Sequence, residues 1–435
     1  MIRTRARRAR TLAYGATVLG VVAVVAGAVF SGSTLAAYQD QAHARTNAIA
    51  AAVTTPFTPG ISKNVRMVDT GLGLSNDGNV YVWGRTDMAM AGGAAGTGTD
   101  KPPTKVPGMP DGGLTAVTGG IYNINALDRQ GEVWGWGYYN VRDGTDAAKP
   151  ADNPQRVRIG SAWNGGGAIL NEIVAISSTE YAGAGIRADG TVWHWGSPTS
   201  YGGNAGAGAS RLMGLPDPAV AGNRPVYLKG AYTNFFVILE NGDVYYWGGA
   251  AGTSSSLPSA LPNVDSNPAL VSPLSSWMRK NVAAGEPYVV AVDGGIAMGG
   301  ALLSNGQVLS WGVDSSRIGA RGTGPWPYTI TPGIVPALSN IVSLQFGFTG
   351  VALLDNTNRL WGYGASDDYG KFPQTPTVID TNVVQYGSGQ GYYLWQKSDN
   401  TFWGRGYNPQ GSIGLPSDNT STNRQVSWDL GMVAR

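Results

Sequence analysis

The sequence predicts an all-β protein, a seven-bladed β-propeller preceded by one N-terminal transmembrane or signal helix. Three observations carry this. Gly (65) and Pro (25) make up about a fifth of the 435 residues, while Trp reaches 14 and Tyr 20. Tight turns combined with many large rings fit short strands joined by turns, and do not fit a disordered chain. A turn-and-strand phrase recurs seven times at intervals of 42 to 64 residues, the spacing of a propeller or a solenoid built from strands. The strand in that phrase is apolar on both faces, which a sheet covered on one side does not need.

The N-terminal element comes first. MIRTRARRAR carries Arg3, Arg5, Arg7, Arg8 and Arg10, and Leu12 to Phe30 follow as 19 residues without a formal charge. A basic flank before an apolar run is an export signal. Nineteen residues at about 1.5 Å each also nearly span a hydrocarbon core of roughly 30 Å. Positive residues stay inside, so everything after Phe30 is expected outside the cytoplasm. Thr34-Leu35-Ala36 is a passable cleavage site, and Ala42-His43-Ala44 matches better but lies farther from the apolar run. The Ala-rich stretch after them can equally continue the helix as a stalk. The reading favours a retained anchor, with secretion after cleavage as the alternative. TTPFTPG (54–60) breaks any helix with two prolines and a glycine. Residues 1–53 are therefore read as basic N-terminus, helix and stalk, and residues 54–435 as the propeller.

The seven phrases are LSNDGNVYVWG (74–84), LDRQGEVWGWG (127–137), IRADGTVWHWG (186–196), LENGDVYYWG (239–248), LSNGQVLSWG (303–312), LDNTNRLWGYG (354–364) and WQKSDNTFWGRG (395–406). Asp-Gly or Asn-Gly at 77–78, 189–190, 241–242 and 305–306 suits the positive φ of a hairpin turn. Two residues past the turn stand Val80, Val133, Val192, Val244, Val308, Leu360 and Phe402. Three past it stand Tyr81, Trp134, Trp193, Tyr245, Leu309, Trp361 and Trp403. Five past it stand Trp83, Trp136, Trp195, Trp247, Trp311, Tyr363 and Arg405. Alternate strand residues face opposite sides, so both faces are apolar at one level. Sheets stacked on sheets in a ring cover both. Each buried ring removes roughly 150–250 Å² from water, several kcal/mol at about 25 cal/mol per Å².

Upstream of the phrases lie further apolar segments: LTAVTGG (114–120), EIVAISS (172–178), NIVSLQFG (340–347) and NVVQYGSG (382–389). Pro-flanked segments such as PTKVPGM (103–109) and PTVID (376–380) complete about four strands per unit, which is one blade. The C-terminal NRQVSWDLG (423–431) is expected to supply the outer strand of blade 1 and close the ring, since open end blades expose sheet edges.

Val-x-x-Val-x-x-Gly, then Ala-Leu-x-x-Asp-Gly-x-Val-x-x-Trp-Gly, then a Gly-rich loop resembles the repeat of the regulator of chromosome condensation family. Blade 2 (104–137) shows it best, and the tails YGGNAGAG (201–208), RIGARGTG (317–324) and PQGSIG (409–414) are similar to the family's loop after Trp-Gly. The resemblance covers roughly residues 57–435 and implies a seven-bladed propeller, here an exported, bacterial member. The family's frequent His before Ala-Leu is missing. Unit 6 has Asn358 and Tyr363 at its turn and Trp positions, and unit 7 has Arg405. The family's founding member is a nuclear exchange factor for a small GTPase. An exported chain does not meet that partner, so the resemblance is not taken to imply that activity.

Composition narrows the chemistry. The net charge of +2 comes from the N-terminus: residues 54–435 hold 24 Lys and Arg against 27 Asp and Glu, with no basic stripe. Nucleic acid is therefore not expected as a partner. There is no cysteine, so thiol catalysis, disulfides and Cys-zinc sites are excluded. The two histidines are His43 in the stalk and His194 between Trp193 and Trp195. His194 reads as structural, and a Ser-His-Asp triad lacks support. Asp77 and Asp189 read as turn formers, and Asp367-Asp368 as a solvated loop pair. GGAAGTGTD (92–100) lacks the ending of a phosphate loop. No catalytic residue, metal or cofactor is expected.

What is left is a binding surface. The loops after Trp-Gly carry Tyr138, Tyr139, Tyr201, Trp326, Tyr328, Tyr369 and Tyr407, residue types that dominate interface hot spots. The bland reading is that these rings cap blade ends. Trp277, in the longest interval, is a further contact candidate. The expected function is a non-catalytic exported scaffold binding a protein partner or a cell-envelope component. One alternative is a glycan-acting enzyme with two carboxyl groups about 5–10 Å apart in the propeller cleft. A passive cell-surface protein is the other.

Overall fold

A computed structural model describes residues 59–426 except 62–69, 76–77, 86–100, 121–122, 138–150, 161–166, 197–201, 204–207, 250–256, 259–260, 263, 313–328, 366–371, 390, 410 and 416–419. The expected anchor helix and stalk lie outside these residues. So do Asp77 and the pair Asp367-Asp368. No helix among the described residues is long and apolar enough to cross a membrane.

The strands form seven antiparallel four-stranded sheets, each taken from one contiguous stretch of chain. The first strands are Pro59–Ile61, Leu114–Gly119, Ile173–Ser178, Pro225–Gly230, Val289–Gly295, Ile341–Phe346 and Val383–Ser388. From blade 2 to blade 7 they pack on one another and so surround the axis; blade 1 meets the first strand of blade 2 through its second strand, Thr70–Ser75, and that of blade 7 through its first. The phrase strands, Val80–Gly84, Val133–Gly137, Val192–Gly196, Val244–Gly248, Val308–Gly312, Leu360–Gly364 and Phe402–Gly406, are the third of each sheet.

The turn before each third strand is built by its own residues. In blade 3, Asp189 Oδ1 accepts from Thr191 N at 2.8 Å and from Thr191 Oγ1 at 2.6 Å. In blade 6, Asp355 accepts from the backbone of Thr357 and Arg359 and from Trp361 Nε1 at 2.9 Å. The turn residue has positive φ throughout, as Gly131 (+78°), Gly306 (+81°), and Asn358 (+62°) and Asn400 (+65°) where glycine is missing. Asn is the side chain that best tolerates this region. The turns also join the blades. Gly131 O accepts from Ile173 N at 3.0 Å, Gly306 O from Ile341 N at 3.0 Å, and Asn358 O from Val383 N at 2.9 Å. Each carbonyl thereby takes the N–H that starts the next blade's inner strand. The recurring phrase is scaffold at its turn as well as at its rings.

Five residues past the turn, Trp83, Trp136, Trp195, Trp247, Trp311 and Tyr363 are all at most 2% exposed. They face the preceding blade. Trp195 Nε1 donates to Asn125 Oδ1 of blade 2 at 3.0 Å, and Trp83 Nε1 to Ser412 O of blade 7 at 2.8 Å. Gly183, paired opposite Trp195, leaves the space the indole fills, and a Cβ there would coincide with the ring. The rings three past the turn differ. Trp134 is buried, whereas Trp193, Trp361 and Trp403 are half-buried. Their indole N–H groups are held by the turn, and Arg187, Arg359 and Lys397 lie over the respective rings. In blade 7, Arg405 stands in place of the ring. Phe372 from blade 6 packs on Tyr393 there at 4.4 Å, and Trp395 is fully buried one strand earlier.

The expected closing strand is corrected. Thr420–Val426 pairs with Phe402–Gly406 as the fourth strand of blade 7, while blade 1 takes Lys101–Lys105 as its own outer strand. Closure comes from side chains instead: Trp83 packs with Tyr392, Leu394, Phe402, Ile413 and Val426 of blade 7. The chain reaches blade 7's open edge through the short connection 407–419, so pairing there closes the smaller loop. The interval holding Trp277 forms a short 3-10 segment, Ser272–Trp277. Trp277 packs partly buried on the cluster between blades 4 and 5, so it serves the core.

Candidate binding face at the axial mouth

Antiparallel order puts two kinds of connection on one face: the hairpins between first and second strands, and the connections after each Trp-Gly. The latter span 85–100, 138–150, 197–209, 249–268, 313–328, 365–376 and 407–419. The opposite face carries the turns between second and third strands, each only four residues long, and the links to the next blade. We call these the loop face and the turn face. Six of the seven candidate aromatics, Tyr138, Tyr139, Tyr201, Trp326, Tyr328 and Tyr369, lie outside the described residues. The seventh, Tyr407, is half-buried on the loop face, and its N–H donates to Gly391 O at 2.8 Å.

At the centre of the loop face the hairpins converge. Glu180 N donates to Tyr232 O at 3.2 Å, Ile296 N to Phe348 O at 2.8 Å and Phe348 N to Gly389 O at 3.1 Å. Asn123 Nδ2 from blade 2 donates to Glu180 O at 2.8 Å and to Thr179 O at 3.1 Å. The Tyr232 ring of blade 4 meets the Phe348 ring of blade 6 edge-on at 5.1 Å and 89°. Those blades are not neighbours, so this contact bridges the blade 5 position at the axial mouth.

Among the described residues two carboxyl groups lie near this contact, in different states. Asp293 is fully buried and occupied: Oδ1 accepts from Gly294 N at 2.7 Å, Oδ2 accepts from Phe346 N at 2.9 Å, and Lys229 Nζ stands at 3.6 Å. Glu180 is 7% exposed, and its Oε2 has no hydrogen-bond partner. Burial pushes its carboxyl up to about 7, against the opposing pull of hydrogen bonds from Tyr181 and Tyr232. The glycan-acting reading needs two working carboxyls in one depression. Asp293 is already committed to a lysine and two amides, so it does not supply the second.

His194 is buried, with Nδ1 at 2.9 Å from Gly202 O and Nε2 at 3.2 Å from Ser210 Oγ. Burial holds it below the usual histidine range, against the Gly202 hydrogen bond. It is a neutral inter-strand link. Among the described residues no three His, Cys, Asp or Glu side chains group as metal ligands do.

Sequence reasoning missed Glu180, Tyr181, Tyr232 and Phe348. The available signal was an aromatic residue recurring between the first and second strands.

No protein-family model matches the chain. It is similar to the protein pim1 of Schizosaccharomyces pombe, 25% identical over 345 residues, covering 70% of this chain and 60% of that protein. It is also similar to the mitochondrial RCC1 domain-containing protein RUG3 of Arabidopsis thaliana, 24% identical over 212 residues, covering 45% of this chain and 43% of that one. The chain thus spans about half the length of these curated relatives. Among solved structures it matches Prp20p of Saccharomyces cerevisiae (TM-score 0.62, 16% identity, covering 80% of this chain and 86% of that one), described with its binding to Gsp1p and histones. Yeast RCC1 bound to Kap60 matches with a TM-score of 0.61 and 17% identity, covering 80% of this chain and 83% of that one. Human WBSCR16 matches at 0.56 and 16%, covering 76% and 84%.

Proposed function

We propose that this chain, an RCC1-like seven-bladed β-propeller, is a protein-binding scaffold whose partner docks on the loop face. The observation that carries the reading is the asymmetry of the two faces. The turn face carries four-residue turns, several of them hydrogen-bonded to the next blade, and inter-blade links that vary from 381–382 to 271–288, whereas every blade sends a long connection to the loop face. The loop face collects the long connections and the aromatic hairpins around Glu180. Loops on a rigid ring are where recognition gathers, and one propeller face can supply the roughly 800 Å² of a standard interface. A partner's polar or cationic group that reached Glu180 Oε2 would satisfy a buried oxygen that otherwise has none. That the solved neighbours are described bound to proteins supports the same general role.

In this reading the propeller is exported and tethered by the N-terminal apolar helix, and residues 54–435 act as the binding domain. The inner strand of blade 1 starts on the turn face at Pro59. A tether on that side leaves the loop face distal to the membrane. The partner is a protein or a component of the cell envelope.

The test is site-specific photocrosslinking in intact cells. A photoreactive residue replaces Tyr407 or Phe348 on the loop face, or Asp189 or Asn305 on the turn face. One defined adduct from the loop-face sites alone is expected. Adducts from the turn face alone, or from neither face, refute the reading.

A further inference from the structure

Glu180 lies at the axial mouth, hydrogen-bonded by the Tyr232 side chain that meets Phe348, with no cation among the described residues counted against its charge. Its own hairpin contributes Tyr181 and the hairpin of blade 4 contributes Tyr232, both as hydrogen-bond donors. Blade 2 contributes Asn123, whose amide is engaged by the Thr179 and Glu180 carbonyls. The charged side chain on the strand entering the blade 4 hairpin, Lys229, is paired with Asp293. No cation among the described residues counts among the influences on the Glu180 carboxyl, and Oε2 has no partner.

We propose that Glu180 is a proton-operated latch on this mouth. As a neutral acid it leaves the Tyr232–Phe348 contact in place. As a carboxylate it loosens the hairpins of blades 3 and 4 until water or a partner's group reaches Oε2.

The physical reason is the desolvation of a charge. A neutral acid with one unbonded oxygen costs little when buried, whereas an ionised one demands solvent or a counter-charge. The hairpins can respond because their tips are joined to neighbouring blades by individual hydrogen bonds rather than by ladders, as by Glu180 N to Tyr232 O and by Asn123 Nδ2 to the Thr179 and Glu180 carbonyls. The blade cores lie beyond them. Its consequence for partner access rests on the loop face being the binding face, but the latch itself acts in the free protein and is tested there.

The experiment is amide hydrogen exchange of the full chain between about pH 5.5 and 8.5, corrected for intrinsic base catalysis. Protection at the Glu180 and Ala231 amides, in the hairpins of blades 3 and 4, is expected to fall by about tenfold or more as pH rises through neutrality. The third-strand amides of the same blades should keep theirs. In Glu180→Gln the hairpin protection should show no pH dependence. An unchanged slope in that variant, or a flat profile in the wild type, overturns the latch. Infrared difference spectroscopy of the wild type gives an independent reading should the variant fail to fold. A buried protonated carboxyl band must disappear near neutral pH, and a carboxyl already ionised at pH 5.5 refutes the proposal. Neither measurement involves a partner, so failure of the latch and failure of the docking face are separate results.

Discussion

Replacing Glu180 by glutamine should stabilise the protein at alkaline pH and do little in acid. The carboxyl is 7% exposed, and burial raises it from an ordinary 4.5 to about 7. A group that holds its proton more tightly in the folded state favours folding below its unfolded value. That contribution is lost as pH rises through the folded value. For Glu180 the loss runs between about pH 4.5 and 7. A difference of about 2.5 units at 1.36 kcal/mol each gives about 3 kcal/mol at full ionisation, an upper figure because local opening relieves part of it. Glutamine keeps the shape and the acceptor oxygen but cannot ionise. Urea unfolding of the wild type and of Glu180→Gln, each at about pH 4.5, 6, 7 and 8, measures this directly. The variant-minus-wild-type difference should be near zero or slightly negative in acid and grow to about +2 to +3 kcal/mol by pH 8. Taking the difference cancels the other titrating groups. A difference that does not change with pH would show that Glu180 is ionised at little cost, and the buried, uncompensated carboxyl would have to be abandoned.

The scaffold makes further predictions. Trp195→Ala removes a fully buried ring and the donor to Asn125; about 3–5 kcal/mol of destabilisation is expected by denaturant titration, and a shift in melting below about a degree would count against the inter-blade role. Gly183→Val places side-chain atoms where the Trp195 indole lies and should cost about 1–3 kcal/mol or more, with Gly183→Ala smaller in the same direction. Burial alone would raise Asp355, but hydrogen bonds from Trp361, from the Arg359 backbone and side chain and from Thr357 hold it below the ordinary carboxylate range. Its contribution is therefore present above an unfolded value of about 3.9 and lost as pH falls further, so Asp355→Asn should destabilise at pH 7 and much less at about pH 2, as followed by tryptophan fluorescence. Lys229→Met leaves Asp293 fully buried without its cation and should cost about 3–5 kcal/mol, part of it recovered in the double variant with Asp293→Asn, as a double-mutant cycle would show.

Much of the propeller was legible because its signals are short-ranged. The turn at Asp189-Gly190, the strand Val192–Gly196 and the inward Trp195 fall within eight residues of chain. Hairpin chemistry and the two-residue strand period act over that distance. The same signals could not separate Trp193 from Trp195, although both lie on one strand face. One is half-buried under Arg187 and the other fully buried against Asn125 of the preceding blade.

The final strand shows a second limit. The sequence marked 423–431 as able to form a strand, which the structure places at Thr420–Val426, but it did not fix whose edge the strand would join. That depended on the path of the connection 407–419 and on blade 1 having Lys101–Lys105 already in place. The buried carboxyl at the axial mouth was the least legible feature. In the sequence Glu180 is one loop carboxylate among many. Its burial, its unpaired oxygen and its raised proton affinity arise where hairpins of blades 2 and 4 meet its own. Local pattern is written in neighbouring residues, so the sequence alone determined the blades, their number and their aromatic mortar. Desolvation depends on what the rest of the molecule brings within a few ångströms, so only the closed ring decided which carboxylate lost its water.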